Sequence, residues 1–160
     1  MRRVSGKLPI FGLLRSLGLP AGHYAVFGSG PLAVRGIIAT PSDLDVLCRG
    51  PAWEAALSLG PLVALAEHGI SVVSLFDGAI TMGTSWAIGD FDTDLLIDTA
   101  EIVDGLPFVG LEHVVAYKRL ARRPKDLEHL DSLARHQAAA LPPGPSAVMP
   151  PGGDAGRPTK

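Results

Sequence analysis

Residues 26–47 read VFGSGPLAVRGIIATPSDLDVL, and two features of this stretch could do chemistry. The turn Gly28-Ser29-Gly30 follows an apolar run. Fifteen residues after Gly28 come two carboxylates, Asp43 and Asp45, with Leu44 between them. Glycines let backbone N–H groups approach a phosphate closely, and a helix opening near Pro31 aims its positive end at one. Paired carboxylates can share a hard divalent ion such as Mg²⁺. Side chains alternate along a strand, so a strand over "DLDVLC" puts Asp43 and Asp45 on one face, about 6–7 Å apart at Cα. Leu44 and Val46 then turn into the core. A glycine turn for a triphosphate, beside an acid pair for the metal that bridges to it, is the division of labour of phosphoryl or nucleotidyl transfer.

Two other readings compete. Gly28-Ser29-Gly30-Pro31-Leu32-Ala33 matches the dinucleotide pattern G-x-G-x-x-[GA]. The helix it would open is short before Pro41, and the acids come too early and at the start of their strand to hold a ribose. The plainer reading is a turn at Gly-Ser-Gly, a second turn at Pro-Ser-Asp and two solvated aspartates. Finding both halves on one strand–helix–strand unit counts against it.

These groups need elements to position them. "HYAVFG" predicts a short buried strand ending at Gly28, and "PLAVRGII" a short helix ended by Pro41. A short amphipathic helix is expected around Pro9–Leu17. "AWEAALSLGPLVALAEHG" reads as helical, split or restarted at Gly60-Pro61. "ISVVSLF", Asp77-Gly78 and "AITMGTSW" form a hairpin signal. "DTDLLIDTAEIV" reads as a helix, and "DGLPFVG" as a turn and short strand. "LEHVVAYKRLAR" has Leu111, Val114, Val115 and Leu120 at helical spacing. "RPKDLEHLDSLARHQAAA" is a last helix with Asp126 in its first turn and Leu127, Leu130 and Leu133 as its buried stripe. The fold class expected is α/β or α+β, a mixed sheet flanked by helices.

Composition sets the frame. The 160 residues suit one domain, expected over 1–140; half of residues 141–160 are Pro or Gly, which predicts a disordered tail. Net charge of −2 predicts no bulk attraction to nucleic acid. The single cysteine, Cys48, allows no intrachain disulfide, so a cytoplasmic setting is expected. No uncharged apolar run is long enough for a membrane span.

The stretch "FGSGPLAVRGIIATPSDLDVL" resembles the signature of the nucleotidyltransferase superfamily related to DNA polymerase β. That signature is Gly-Ser after a hydrophobic residue, a spacer, then acid–hydrophobic–acid–hydrophobic. Here the latter is Asp43-Leu44-Asp45-Val46. "LEHVVAYKRLARRPKDLEHLDSL" looks like the ending of small bacterial members, among them toxin–antitoxin nucleotidyltransferases. Together the two motifs place the resemblance over roughly residues 10–136.

The resemblance implies a nucleotidyltransferase-like fold and a reaction. Gly28, Ser29 and Gly30 would meet the nucleotide's phosphates, and Asp43 and Asp45 would be catalytic and bind one or two Mg²⁺ ions. Lys118 and Lys125 would face the triphosphate. An NMP would pass from an NTP to a hydroxyl of a protein, an RNA such as tRNA, or a small molecule. The family normally has a third carboxylate on a later strand. Its equivalents here are Ser71 or Thr81, neither anionic, while Asp77, Asp90 and Asp92 are the nearby acids that could stand in. The alternative implied is an impaired member that binds nucleotide or a partner, as half of a toxin–antitoxin pair.

The remaining candidates have plainer expectations. Lys118, Arg122, Arg123 and Lys125 form a basic cluster that could balance triphosphate charge or guide an acidic acceptor such as tRNA, while Arg122 and Arg123 equally suit a helix C-terminus without any ligand. Lys125 and Asp126 can pair with neighbours or cap the last helix. His113, His129 and His136 lack the i, i+4 spacing of a helical metal site and read as solvated or packed. Trp53 and Trp86 read as core or rim, and Cys48 as buried and inert.

Overall fold

The computed structural model describes residues 9–65, 69–85 and 91–140. Trp86, Asp90 and the Pro/Gly-rich segment from Leu141 lie outside them. Thirteen elements run in the order α1 (Pro9–Ser16), β1 (Tyr24–Phe27), α2 (Gly30–Ala33), β2 (Leu44–Cys48), α3 (Gly50–Leu59), β3 (Leu62–Leu65), β4 (Ile70–Leu75), β5 (Ile80–Gly83), α4 (Thr93–Asp98), β6 (Glu101–Val103), β7 (Leu106–Phe108), α5 (Leu111–Ala121) and α6 (Pro124–Ala140). The seven strands form one mixed sheet in the order β3-β4-β5-β2-β1-β7-β6. The expected α/β class with a mixed sheet flanked by helices holds. No described helix is long and apolar enough to cross a membrane.

Alternation along the strands builds two cores. Val26, Leu44, Val46 and Cys48 face a cluster closed by Phe11 and Leu14 of α1 and Ala52 and Ala56 of α3. Ala25, Phe27 and Leu47 face the opposite cluster with Leu96 and Ile97 of α4, Val114 and Tyr117 of α5 and Leu133 of α6. The parity of β2 therefore assigns Asp45, between Val46 and Leu44, to the α4–α5 face.

The central pair β1–β2 is antiparallel, with Phe27 opposite Asp45. A dinucleotide-binding βαβ unit needs these strands parallel, so the topology removes that reading. α2 is a single turn and ends at Ala33, well before Pro41. It is too short to carry a helix dipole of consequence, and the expectation of a helix end aimed at phosphate is corrected to one of turn backbone alone.

Three other expectations change. The chain after Gly60 forms strand β3, not helix. Gly60 is fully extended, and a Cβ there would lie 2.3 Å from Leu75 Cδ2, so helix α3 must stop where the backbone closes on β4. "DTDLLIDTAEIV" is helical only to Asp98, and Glu101–Val103 pairs with β7 as a hairpin. Its turn is Asp104-Gly105, both at positive φ, the conformation that Asp-Gly turns favour. In α6, Leu127 is 44 % exposed, and the fully buried Asp126 takes the place expected for it in the stripe with Leu133. Leu120 of α5 is likewise exposed. The hairpin β4–β5 forms as expected around Asp77-Gly78.

Candidate functional site

The site is built where β1 ends, β2 begins and the α5–α6 junction comes down on the same face. Gly28 takes φ +69°, and a Cβ at this position would lie 2.9 Å from Asp45 Oδ2. The backbone conformation favours glycine here, and any Cβ would displace the Asp45 carboxylate. Gly28→Ala is expected to cost about 1–3 kcal/mol of stability and to push the Asp45 carboxylate aside, readable as a lowered midpoint in urea unfolding. An unchanged midpoint would show that the turn relaxes freely. Gly30 has a different reason: a Cβ would meet Val26 Cγ1 at 2.4 Å, so it is a packing glycine.

Ser29 stands at the N-cap of α2, where serine hydroxyls ordinarily accept a backbone N–H, but it makes no such bond. Its Oγ lies instead 3.4 Å from His129 Nδ1 and 3.5 Å from Lys118 Nζ. Lys118 is 1 % exposed and Asp126 is fully buried; their ion pair spans 3.3 Å. His129 Nδ1 is 3.1 Å from the same ammonium. Asp126 also accepts from the backbone N–H and the Nε–H of Arg123, the first being half of a capping box at the start of α6. Arg123 in turn lies over the ring of Tyr117, 5.9 Å from its centroid. Phe27 packs edge to face against both Tyr117 and Phe91, which are tilted against each other.

Asp43 stands exposed one residue ahead of β2, and Asp45 is half-buried within it. Neither carboxylate has a hydrogen-bond or ion-pair partner among the described residues. Burial first, then the charge of Asp43, pushes the Asp45 carboxyl up to about 6, against the opposing pull of Lys125, Arg123 and Lys118. Lys125 is exposed and reaches Asp45 through its charge alone. Burial lowers the pKa of Lys118, opposed by Asp126, and burial followed by the Lys118 charge lowers that of His129. Burial pushes Asp126 up, but the Arg123 bonds and the Lys118 charge outweigh it and hold the carboxyl below its ordinary value.

Across the sheet, Asp45 pairs with Thr81 of β5, and Thr81 with Ser74 of β4. The row beside the acid pair is hydroxylic. Ser71, the other expected equivalent, pairs with Ala64 instead, so Ser74 continues the row. Asp77 lies exposed in the β4–β5 turn, and Asp92 is engaged as the N-cap of α4. Among the described residues no group of three His, Cys, Asp or Glu could hold a metal ion. The donor set present is thus a two-carboxylate one. Asp43 and Asp45 are the residues that would hold a hard cation, whose charge would offset the burial and then the Asp43 charge that raise the Asp45 pKa.

The structure therefore gathers Gly28, Ser29, Asp45 and Lys118, and places the Lys125 charge near them. Asp126 and His129 were not expected as site residues, and Arg123 only as one member of the basic cluster. Their partners Lys118 and Ser29 lie 8 and 89 residues away from Asp126 and Lys118 respectively, and only the Lys-Asp step at the head of α6 hints at them. No family model matches the chain, and no curated protein or solved structure is returned as similar to it.

Proposed function

We propose that the chain is a nucleotidyltransferase-like protein that binds a nucleoside triphosphate with Mg²⁺ at the Gly28 turn and the Asp43–Asp45 pair. One observation carries the reading: an acid pair with no ion-pair partner among the described residues, its Asp45 against the Gly28 turn, stands within the charge of Lys125, Arg123 and Lys118. Gly28 keeps the backbone close to Asp45, which lets phosphate and metal share one small volume. Ser29 offers its hydroxyl to the phosphates. Arg123 and Lys125 lie where their charge offsets the triphosphate.

Bound Mg²⁺ would supply charge neutralisation at the phosphates and polarise the α-phosphorus toward attack. The acceptor hydroxyl's oxygen would then bond the α-phosphorus in line as the bond to the pyrophosphate oxygen breaks, with the hydroxyl proton leaving to solvent or a nearby base. Acceptor and nucleobase are set by surfaces other than these residues. Acceptors consistent with the chemistry are a protein side chain, an RNA end or a small-molecule hydroxyl.

A second reading is favoured by the Asp45–Thr81–Ser74 row. With no third carboxylate in that row among the described residues, the groups that would activate an acceptor hydroxyl are weakened more than those that hold the nucleotide. The protein would then act as a nucleotide- or partner-binding module, in a toxin–antitoxin pair for example.

Incubation with each α-phosphate-labelled NTP, Mg²⁺ and cell extract separates the two. Label transfer by the wild type and none by Asp43→Ala/Asp45→Ala is the result expected of an enzyme. Transfer that persists in the double variant would refute the assigned site. NTP binding without transfer would select the binding module.

A further inference from the structure

The buried groups behind Ser29 have a directional logic. An ammonium has three N–H donors. Those of Lys118 have three acceptors around them: His129 Nδ1 at 3.1 Å, Asp126 Oδ1 at 3.3 Å and Ser29 Oγ at 3.5 Å. With 1 % exposure, Lys118 has no surface left to meet a ligand directly. Ser29 is half-buried and reachable.

His129 decides where the Ser29 hydrogen goes. Neutral imidazole has one acceptor nitrogen with one lone pair. The Lys118 ammonium, closer and charged, takes the Nδ1 lone pair ahead of the Ser29 hydroxyl at 3.4 Å. The proton of the ring then sits on Nε2. Ser29 Oγ accepts from Lys118, and its own O–H is left to point away from the network.

We propose that Lys118 and Asp126 form a positioning relay that, by occupying the His129 acceptor, presents the Ser29 hydroxyl as an outward hydrogen-bond donor to a phosphate oxygen. This rests on the triphosphate reading above. The chain of donors runs from the Lys118 ammonium to Ser29 Oγ and from the Ser29 hydroxyl to the anion. Asp126 holds the ammonium in place, and Arg123 holds Asp126 from the other side. Such a site discriminates in favour of an anion and against a neutral donor or a cation at that point. Each bond in the chain polarises the next, so the hydroxyl is a stronger donor than an isolated serine.

The test is a double-mutant cycle read by calorimetry with inorganic tripolyphosphate in the presence of Mg²⁺, at pH 7.5. Ser29→Ala is expected to weaken binding roughly tenfold or more, the range for a hydrogen bond to a charged group. The charge-conserving pair Lys118→Met/Asp126→Asn is expected to weaken binding similarly in the wild type, because the Ser29 hydroxyl then turns inward to His129. In the Ser29→Ala background the same pair should change affinity less than about twofold. Adding His129→Leu to the pair should restore part of the loss by removing the inward acceptor. Equal weakening in both backgrounds would overturn the relay and assign Lys118 a direct role.

Should the pair variant not fold, two single variants decide. The relay expects loss with Ser29→Ala and none with His129→Leu. Loss only with His129→Leu overturns it. Failure of the wild type to bind tripolyphosphate would overturn the triphosphate reading itself, and the relay with it.

Discussion

Asp126→Ala is expected to destabilise the protein by about 3–5 kcal/mol, the cost of leaving a buried charge without its partner. Lys118 is 1 % exposed and Asp126 fully buried, so the ammonium left behind cannot reach water. The substitution also removes the acceptor for the Arg123 backbone N–H and guanidinium at the start of α6. Lys118 would answer by giving up its proton more readily, since Asp126 now opposes the downward push of burial on its pKa. Replacing both members by apolar residues, Lys118→Met/Asp126→Leu, should recover much of the loss, because the desolvation of the two charges disappears with them. Urea unfolding at pH 7 measures both. A loss below about 1 kcal/mol for Asp126→Ala would mean that the pair behaves as a solvated surface bridge.

Asp45→Asn is expected to act in the opposite direction. The folded carboxyl titrates at about 6 against an ordinary value of 3.8, so the folded state holds its proton more tightly than the unfolded chain. Stability therefore falls as pH rises from about 4 to about 6, and the penalty stays in full above that, at most about 3 kcal/mol. Asparagine removes the charge and keeps the shape. At pH 8 the variant should be more stable by about 1–3 kcal/mol, roughly 2–8 °C in midpoint for a chain of this size, and near pH 4 the two proteins should converge. His129 contributes the reverse slope in its own range: its lowered pKa makes stability rise with pH through the ordinary histidine value. A site residue whose removal stabilises the empty fold is what a charge kept for a ligand looks like. If Asp45→Asn lowers stability at pH 8, the carboxylate is doing structural work that its surroundings do not reveal.

The parts of this molecule legible in the sequence are those written in local spacing. The alternation Asp43-Leu44-Asp45-Val46 sets the face of β2, and Asp77-Gly78 sets a hairpin. The parts that were not legible depend on which apolar surface arrives from elsewhere. Leu62–Leu65 is a four-residue apolar run that periodicity cannot assign to helix or strand; the arrival of β4 on Gly60 decides it. Glu101–Val103 continues a helical pattern until the Asp104-Gly105 turn brings β7 back to it. The α6 stripe carries the same lesson. Leu127, read as buried, is exposed because a charged residue, Asp126, occupies the inward position, where Lys118 makes its burial tolerable. His129 reads as any surface histidine until helices α5 and α6 are set against the Gly28 turn, 100 residues away from it in the chain.

The central claim is that Asp43 and Asp45 hold a cation that carries a nucleoside triphosphate to the Gly28 turn. Thermal unfolding of the wild type and of Asp45→Asn, each with and without Mg²⁺ and a non-hydrolysable NTP, tests it most directly. The wild type should gain stability only when both are present, about 2.7 kcal/mol at a hundredfold excess over Kd. Asp45→Asn should start higher and gain nothing. An unresponsive wild type, or an equal gain in the variant, would contradict the assignment of the site.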